Sequence, residues 1–252
     1  MSDHVDVPED HPRHDSLLTR HRIEDGVDRG ITSRQGLIAQ GRGEAYDYLL
    51  GERTIPSADE AERAAAAQLL LADHPVLSVN GNVAALVPEE MVELAEVVGA
   101  ELEVNLFNRT EERVAAIAEY LHEHGAGEVK GLRADGRIPG LSHERAKVDS
   151  DGIGDADVVL VPLEDGDRAE ALAATGKVEI VIDLNPLSRS AQSAAIPVVD
   201  NIVRAVPNIT RHARELADAP RDELEAIVAD FDREAALAAA ERAIRTGGDG
   251  EE

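Results

Sequence analysis

Polar side chains that could contact a nucleotide or another phosphate-bearing ligand recur at five points in the 252-residue sequence, each directly after a short apolar run. They are Asn80, Asn82, Asn105, Asn108, Arg109, Glu164, Asp165, Asp167, Arg168, Asp183, Asn185, Arg189, Ser190, Asp200 and Asn201. Amides and arginines bind phosphate groups, and carboxylates such as Asp183 and Asp200 bind ribose hydroxyls or a magnesium ion. These segments therefore predict a site for a phosphate-bearing ligand.

Each of these segments also has a purely structural explanation. An Asn-Gly pair is a common turn, Asn108 or Ser188 can cap a helix, and the segment EDGD can be a solvated loop. Recurrence of the same chemistry after successive apolar runs favours the functional explanation, because isolated turns and caps would not be expected to repeat in this way.

Familiar catalytic motifs are missing from the sequence. It has no GxxxxGK[ST] phosphate loop, no HExxH helix, no GxSxG elbow and no EF-hand loop. It also has no cysteine, which excludes a disulfide framework, a thiolate nucleophile and an iron-sulfur site. Any phosphate binding must therefore use another design.

From Val76 onward, short β-rich runs alternate with amphipathic helices, a pattern typical of βαβ units and a largely parallel sheet. The predicted strands are 76–79, 101–107, 129–132, 157–163, 178–184 and 197–199. Ligands of such sheets bind beyond the carboxyl ends of the strands, which is where the polar segments fall. We therefore predict an α/β, Rossmann-like fold with helical additions at both ends.

Helices are predicted on either side of this region. Before Pro75 we expect helices over 16–29, over 33–50 and over 57–73, the last opened by a capping box of Ser57 and Glu60. Gly41 and Gly43 flank Arg42 and predict either a helix break with close backbone approach or a plain turn. One continuous C-terminal helix is expected from Leu224 to about Arg245, as a dimer contact or a docking helix.

These patterns divide the chain into five parts. We predict an acidic tail over 1–10, a helical segment contributing to the site over 11–75, an α/β core over 76–205, helices over 206–247 and a tail over 248–252.

Charge is the most unusual bulk property of the sequence. Against 51 Asp and Glu there are 25 Lys and Arg, only three of them Lys, for a formal net charge of -26. Such a surface repels nucleic acid and anionic membranes, so neither is an expected partner. It suits a cytoplasm of very high salt, although an ordinary acidic protein is the alternative. No apolar run approaches the roughly 18 residues of a membrane span, and no export signal is visible, which predicts a cytoplasmic protein.

The same segments resemble the archaeal phosphopantothenate synthetase family, also called 4-phosphopantoate-β-alanine ligases. The resemblance covers about Asp10 to Val206, and the acidity suggests a haloarchaeal-type member. It is carried by the strings GLIAQGRGEAYDYLLGERT, HPVLSVNGNVAALVPEE, LEVNLFNRTEERV, IPGLSHERAKVD and DLNPLSRSAQSA. Strings of this length are far more specific than a short motif.

The resemblance implies ATP-dependent formation of 4'-phosphopantothenate from 4-phosphopantoate and β-alanine, with AMP and diphosphate released. It implies a Rossmann-like homodimer, and Mg²⁺ is expected with ATP. Carried over by motif, the ATP contacts are Arg20, Arg42, Asp183, Leu184, Asn185, Arg189, Ser190, Asn201 and Ile202. We assign the phosphopantoate end to Asn80, Asn82 and Arg109. No catalytic residue or metal ligand is assigned, because carboxylate activation needs charge neutralisation more than a protein nucleophile.

Two other functions compete with this interpretation. An NAD(P)-dependent oxidoreductase is one, because an Arg-bearing turn after a second strand can hold a 2'-phosphate. The preceding turn reads NGNVAA and not GxGxxG, which argues against it. A non-catalytic nucleotide sensor is the other, and it predicts ATP binding without AMP release.

Overall fold

The computed structural model describes residues 7–8, 10–11, 13–163 and 166–247. The predicted tail 248–252, most of the predicted tail 1–10, and the loop residues Glu164 and Asp165 lie outside these ranges. The division into domains stays a prediction, and helix α9, Ile202–Leu216, crosses the boundary placed between residues 205 and 206.

The described strands are β1 Pro75–Val79, β2 Glu101–Val104, β3 Val129–Lys130, β4 Gly136–Arg137, β5 Lys147–Val148, β6 Val158–Pro162, β7 Val178–Ile182 and β8 Ile196–Val198. Six of them form one parallel sheet in the order β3-β2-β1-β6-β7-β8. The two halves of the sheet run outward from the β1–β6 pair, so the topological switch point lies between these strands. The predicted α/β, Rossmann-like class is confirmed, and each predicted strand overlaps a strand of this sheet, although the strand predicted over 101–107 ends at Val104.

The described α-helices are α1 His14–Asp28, α2 Arg34–Leu50, α3 Pro56–Leu71, α4 Gly81–Leu86, α5 Pro88–Val98, α6 Glu111–Glu123, α7 Gly166–Ala174, α8 Arg189–Ser193, α9 Ile202–Leu216, α10 Arg221–Asp230 and α11 Arg233–Thr246. A 3-10 turn over Glu144–Ala146 precedes β5.

Alternation along the strands divides the core into two layers. Leu77 and Leu160 face a large apolar cluster that includes residues of α3, α5, α6 and α9. Val76 and Val159 face a smaller cluster that includes Leu172 of α7 and residues of the segment 131–157. The sheet is therefore covered on both faces, as a parallel sheet requires.

Two helix predictions are wrong in detail. Helix α3 is capped by Ile55 with no side-chain hydrogen bond, and Pro56 opens it, so Ser57 is already inside the helix and the predicted capping box does not form. Proline suits the first turn because its missing N–H would have no helical partner there. The predicted continuous C-terminal helix ends at Asp230, and a second helix begins after Asp232, whose side chain accepts a hydrogen bond from Ala235 N.

The predicted break at Gly41-Arg42-Gly43 is also wrong, because α2 is helical from Arg34 to Leu50. The expected close approach does occur beside it. A Cβ added at Gly43 would lie 3.4 Å from Leu184 Cδ1, whereas one added at Gly41 would meet no atom within 4 Å. Contacts along α2 outweigh the roughly 1 kcal/mol that each glycine costs a helix.

Sequence patterns did not predict the β4–β5 pair or the excursion around it, residues 131–157. The excursion is held by the buried carboxylate of Glu103 on β2, which accepts hydrogen bonds from Asp149 N at 3.0 Å and Ile153 N at 2.6 Å. Burial raises the pKa of Glu103 to about 7. A polar residue in a strand thus fixes a segment that has little regular structure of its own.

Candidate functional site

Helix α2 lies across the carboxyl edge of the sheet. Near its start, Asn108 Nδ2 donates to Gln35 Oε1 at 2.8 Å and Asn82 Nδ2 donates to Gly36 O at 3.0 Å. Near its end, Asn201 Nδ2 donates to Asp47 Oδ2 at 2.7 Å. These three contacts tie α2 to the segments after the neighbouring strands β2 and β1 and after β8 at the far edge of the sheet.

The length of α2 matches the width of the sheet that it crosses. Gln35 and Asp47 are twelve residues apart, which spans about 18 Å of helix. Strands β2 and β8 are four strand spacings apart, or about 19 Å. Gly43, which approaches Leu184 after β7, falls between them in the expected order. The helix therefore forms one wall of a cleft whose other wall is the carboxyl edge.

A cavity of about 250 Å³ lies between the first half of α2 and the ends of β1, β2 and β6. Three arginines line it, and none of the described lining residues is acidic. In a chain with twice as many acidic as basic residues, this local composition is strongly biased towards binding an anion. The polar and charged lining includes Gln35, Arg42, Asn80, Asn82, Arg113 and Arg145.

Asn80 and Asn82 lie at the switch point of the sheet, and their side chains form hydrogen bonds that stabilise it. Asn80 Oδ1 accepts from Asn82 N at 3.0 Å and Val83 N at 3.1 Å, while its Nδ2 donates to Pro162 O at the end of β6, 3.0 Å away. Asn82 is buried and bonded to α2. Both residues line the cavity, and both also have a structural role.

Beside this cavity, Asp183 follows β7. Its Oδ1 accepts from Asn185 N at 2.9 Å and its Oδ2 accepts from Ser188 Oγ at 2.5 Å. Burial raises the pKa of Asp183, while those hydrogen bonds and the positive charge of Arg42 oppose the rise. Arg42 thus acts electrostatically on the β7 end and also lines the cavity, so it connects the two halves of the cleft.

The remaining residues predicted at the β7 end are placed as follows. Leu184 and Ser190 are buried, and Ser188 caps α8 by accepting from Ala191 N. Arg189 is exposed and pairs with Asp167 and, at 3.6 Å, with Glu170. Arg189 therefore contacts acidic side chains of α7 in this structure, and it would have to leave them to reach a phosphate.

At the end of β8, Asp200 anchors the helices and is not available to a ligand. It is buried, accepts from Thr54 Oγ1 at 2.5 Å and pairs with Arg204 at 2.6 Å. Arg204 also pairs with Asp47 of α2. The neighbouring Asn201 caps α9, and Ile202, the first residue of α9, is buried.

Arg20 reaches α2 from α1. Its guanidinium donates two hydrogen bonds to Glu44, one of them 2.8 Å long, and Arg13 pairs with the same carboxylate at 2.7 Å. The hydrogen bond to Glu44 raises the pKa of Arg20, and the same bond lowers the pKa of Glu44. Both predicted arginines of the N-terminal helices are therefore associated with α2. Arg20 pairs with a residue of this helix, and Arg42 is itself a residue of it.

The structure does not bring Arg109 to the cavity. Its side chain is buried, donates to Gly131 O at 2.9 Å and pairs with Glu111 at 3.3 Å, so it ties the β2 and β3 ends together. Arg168, also singled out in the sequence, is fully buried, 3.5 Å from Ser78 Oγ. The arginines that do line the cavity besides Arg42 are Arg113 and Arg145. Arg113 stands in the same FNRTEER segment as Arg109. Its position at the start of a predicted helix was the one feature of the sequence that could have identified it as a cavity residue.

Among the residues that the structure describes, no helix combines the length and apolar character required to cross a bilayer.

Comparison with known proteins gives a consistent result. Residues 57–247 match the model of a family described as phosphopantothenate/pantothenate synthetase. The chain is 58% identical to the 4-phosphopantoate–β-alanine ligase of Thermococcus kodakarensis over 229 residues, covering 90% of this chain and 88% of that protein. It is 54% identical to the enzyme of the same name from Methanosarcina mazei over 236 residues, covering 94% and 93%.

Proposed function

The chain belongs to the phosphopantothenate/pantothenate synthetase family, and from this premise we propose that it is an ATP-dependent 4-phosphopantoate–β-alanine ligase. Its substrates are 4-phosphopantoate, β-alanine and ATP, and its products are 4'-phosphopantothenate, AMP and diphosphate. A carboxylate oxygen of 4-phosphopantoate attacks the α-phosphorus of ATP and diphosphate leaves. The amine of β-alanine then attacks the acyl carbon, loses a proton and displaces AMP.

The cleft under α2 supports an ordered placement of the substrates. The 250 Å³ cavity at the β1–β2 side is smaller than a typical pocket for a drug-sized ligand and suits the small acid. ATP lies on the other side of Arg42, over Asp183, Leu184, Asn185, Arg189 and Ser190 after β7 and over Asn201 and Ile202 after β8, with Arg20 completing the set. The single observation that carries this placement is the position of Arg42, which lines the cavity and directly precedes Gly43, the residue of α2 that approaches Leu184 after β7.

In this reaction the protein has to orient the substrates and neutralise their negative charge. The nucleophiles, a carboxylate and an amine, both belong to substrates, so the chain needs no nucleophile of its own. Arg42 is the group best placed to stabilise the negative charge that develops between the two substrates. The amides of Asn80 and Asn82 are held rigidly and give a defined wall to the acid-binding cavity.

Magnesium can be accommodated by the cleft in the way that ATP enzymes often use it, with few protein ligands and several phosphate oxygens. Asp183 is the carboxylate suited to hold it, because Asp200 is occupied by Arg204. When bound with ATP the ion neutralises phosphate charge. The group Asp59, Glu62 and His212 has suitable ligand atoms, but Arg211 lies 2.9 Å from Asp59 Oδ1 and 3.1 Å from His212 Nε2. The guanidinium of Arg211 therefore already provides the positive charge that a metal ion would bring to this cluster.

Purified protein in multimolar KCl, incubated with ATP, 4-phosphopantoate and β-alanine, should release AMP, and omission of either acid or amine should abolish product formation. Dependence on ATP supports a cytoplasmic location for the enzyme. Bound ATP with no product would support a nucleotide sensor. Thermal stabilisation by NADPH and not by ATP would overturn the ligase assignment.

The exposed face of α2 supports a homodimer. Leu37, Ile38, Tyr48 and Leu49 are exposed on one side of this helix, Ile38 and Tyr48 to 70% each. The spacing of these residues places Gly41 and Ala45 in the centre of the same face. A contiguous apolar face of this kind marks an interface, and small central residues allow two copies of α2 to approach closely around a two-fold axis. The second copy would then lie beside Arg42.

The substitution Gly41→Ala should have opposite effects on the stability of α2 and on the stability of the dimer. In the isolated subunit the added methyl group meets no atom and should stabilise α2 by about 0.5–1 kcal/mol. In the dimer it falls at the centre of the interface and should raise the dissociation constant about tenfold or more, measured by sedimentation velocity. Gln40→Ala, off the apolar face, is the matched control. An unchanged dimer in the Gly41→Ala variant would contradict this interface.

A further inference from the structure

One wall of the acid-binding cavity under α2 depends on the 131–157 excursion, a segment with little regular structure of its own. Arg145 of this excursion lines the cavity. The ring of His143 packs against Phe107, another lining residue, with the ring centroids 5.6 Å apart. The shape of the cavity therefore depends on how firmly the excursion is held to the sheet.

The carboxylate of Glu103 on β2 lies beneath the excursion and bonds to its backbone at two points. Glu103 is fully buried, its Oε1 accepts from Asp149 N at 3.0 Å, and its Oε2 accepts from Ile153 N at 2.6 Å. The turn between these two amides passes directly over the carboxylate, because a methyl group added at Gly152 would collide with Glu103 Oε2. A single side chain thus anchors the whole turn.

This anchorage is connected to the cavity by β5. Strand β5 joins Asp149 directly to the 3-10 turn that contains Arg145, and β4 pairs with it. Asn105, directly after β2, donates through Nδ2 to Arg145 O at 3.2 Å and to Lys147 O at 3.0 Å. Glu103 and Asn105 therefore hold successive parts of one continuous segment, and a shift of the backbone at Asp149 is transmitted to the cavity wall.

The charge of Glu103 decides how strongly it holds the excursion. An ionised carboxylate accepts hydrogen bonds on both oxygens, and such bonds to a charged acceptor are about twice as strong as bonds to a neutral one. Protonation turns one of the two oxygens into a donor that faces a backbone N–H. The excursion is therefore held most firmly when Glu103 is ionised.

Groups of both charges face Glu103 from the elements packed against it. On β3 its neighbour is Lys130, which pairs with other carboxylates, and on β1 its neighbour is the neutral Ser78. Arg168 faces it from α7 and Asp149 from the excursion. Burial has the largest effect and raises the pKa of Glu103 to about 7, against the two backbone hydrogen bonds and the charge of Arg168. Glu103 therefore changes charge near neutral pH.

Resting on the proposed ligase function, we propose that Glu103 is a positioning residue for the acid substrate, whose ionised carboxylate fixes the 131–157 excursion and with it one wall of the cavity that receives 4-phosphopantoate. Glu103 does not line the cavity, so it acts on the substrate through the excursion. Since the bound acid favours the fixed excursion, it also favours the ionised form of Glu103. Acid binding below pH 7 is therefore accompanied by release of a proton from this residue.

The test is the substitution Glu103→Gln, which keeps the shape of the side chain and removes its titration. The dissociation constant for 4-phosphopantoate, measured by calorimetry without ATP, should rise about tenfold at pH 8, because an amide donor now faces a backbone N–H. At pH 6 Glu103 of the wild type is itself mostly protonated, so the ratio of the two dissociation constants should fall to about twofold. The phosphate group of the substrate also titrates near pH 6, but it affects both proteins equally and cancels in the ratio.

Glu101→Gln is the matched control, because Glu101 lies on the same strand with a partly exposed side chain, and it should leave acid binding unchanged at both pH values. Gly152→Ala is a second variant that alters no titratable group. Its methyl group displaces the turn from Glu103 and should weaken acid binding more at pH 8 than at pH 6. The apolar residues of the excursion still pack against the sheet in each variant, which keeps the fold intact.

The wild type also gives a direct readout of the proton. Calorimetry at pH 6 in two buffers of different ionisation enthalpy should show more proton release on acid binding than in Glu103→Gln. A ratio of dissociation constants that is the same at pH 6 and pH 8 would overturn the positioning role, and AMP release by the wild type would leave the ligase function standing. A wild type that binds 4-phosphopantoate with the expected pH dependence but makes no AMP would keep the role of Glu103 and refute the ligase.

Discussion

Replacing Arg42 with glutamine is expected to lower kcat/KM for ligation by about 1000-fold, the upper end of what loss of one transition-state donor costs. Arg42 stands in the middle of α2, lines the acid-binding cavity and acts on Asp183 at the β7 end. In the proposed placement Arg42 lies between the two substrates, so its loss should remove charge stabilisation where the acyl-phosphate bond forms. The effect should therefore appear mainly in kcat, with a smaller change in either KM.

Two further variants make this prediction specific. Arg42→Lys keeps the positive charge and should recover part of the lost rate, whereas Arg63→Gln, an exposed arginine on α3, should leave the rate unchanged. Equal unfolding temperatures for all of these proteins would confirm that the fold is intact. A change in the KM for ATP alone, with normal kcat, would mean that Arg42 serves binding and not the chemical step.

Glu62→Gln is expected to make the protein more resistant to unfolding at alkaline pH. Glu62 lies fully buried on α3. Burial, followed by the nearby charge of Asp200, raises the pKa of Glu62 to about 9, whereas in the unfolded chain it has an ordinary carboxyl pKa. The folded state therefore binds a proton that the unfolded state releases above about pH 4.5, and the free energy of unfolding falls as pH rises towards 9.

Between pH 5 and pH 8 this single group is expected to cost the wild type on the order of 4 kcal/mol. A glutamine is neutral throughout, so the variant should gain stability relative to the wild type as pH rises, measured by denaturant unfolding at each pH. The comparison removes the contribution of Glu103, whose raised pKa affects both proteins equally. Glu60→Gln, exposed on the same helix, is the control. A stability difference that is independent of pH would show that Glu62 is charged in the folded protein.

The strands and their polar carboxyl ends were predictable because short β-branched runs and the residues that follow them are local features. Asn80, Asn82 and Asp183 fall at the predicted edge for this reason. The path of α2 was not predictable, since it depends on contacts such as Asn82 to Gly36 that join segments far apart in sequence. The Gly41-Arg42-Gly43 segment misled the helix prediction because glycine lowers helix propensity whether or not tertiary contacts compensate for it.

Which arginines line the cavity was also not predictable from the sequence. Arg109 and Arg113 are four residues apart, and only the start of α6 at Glu111 decides that the first is buried against Gly131 and the second lines the cavity. Arg145 lies in an excursion with two-residue strands, which carries no periodic signal. Its position follows from Glu103 and Asn105, polar residues at the end of β2 whose partners lie about forty residues or more further along the chain.

The contrast between the surface and the cleft bears on how the enzyme captures anionic substrates. A net charge of -26 repels ATP and 4-phosphopantoate at long range, but molar salt reduces the range of that repulsion to about 3 Å. The arginines of the cleft act at contact distance and are affected less. Substrate capture should therefore depend on local groups such as Arg42.

The proposed reaction activates a carboxylate with ATP and transfers the acyl group to an amine. The decisive experiment uses 4-phosphopantoate labelled with ¹⁸O in the carboxyl group, followed by mass spectrometry of the nucleotide product. Attack of the carboxylate on the α-phosphorus predicts that one ¹⁸O atom appears in AMP for each amide formed. Unlabelled AMP, or label in inorganic phosphate accompanied by ADP, would contradict the proposed reaction.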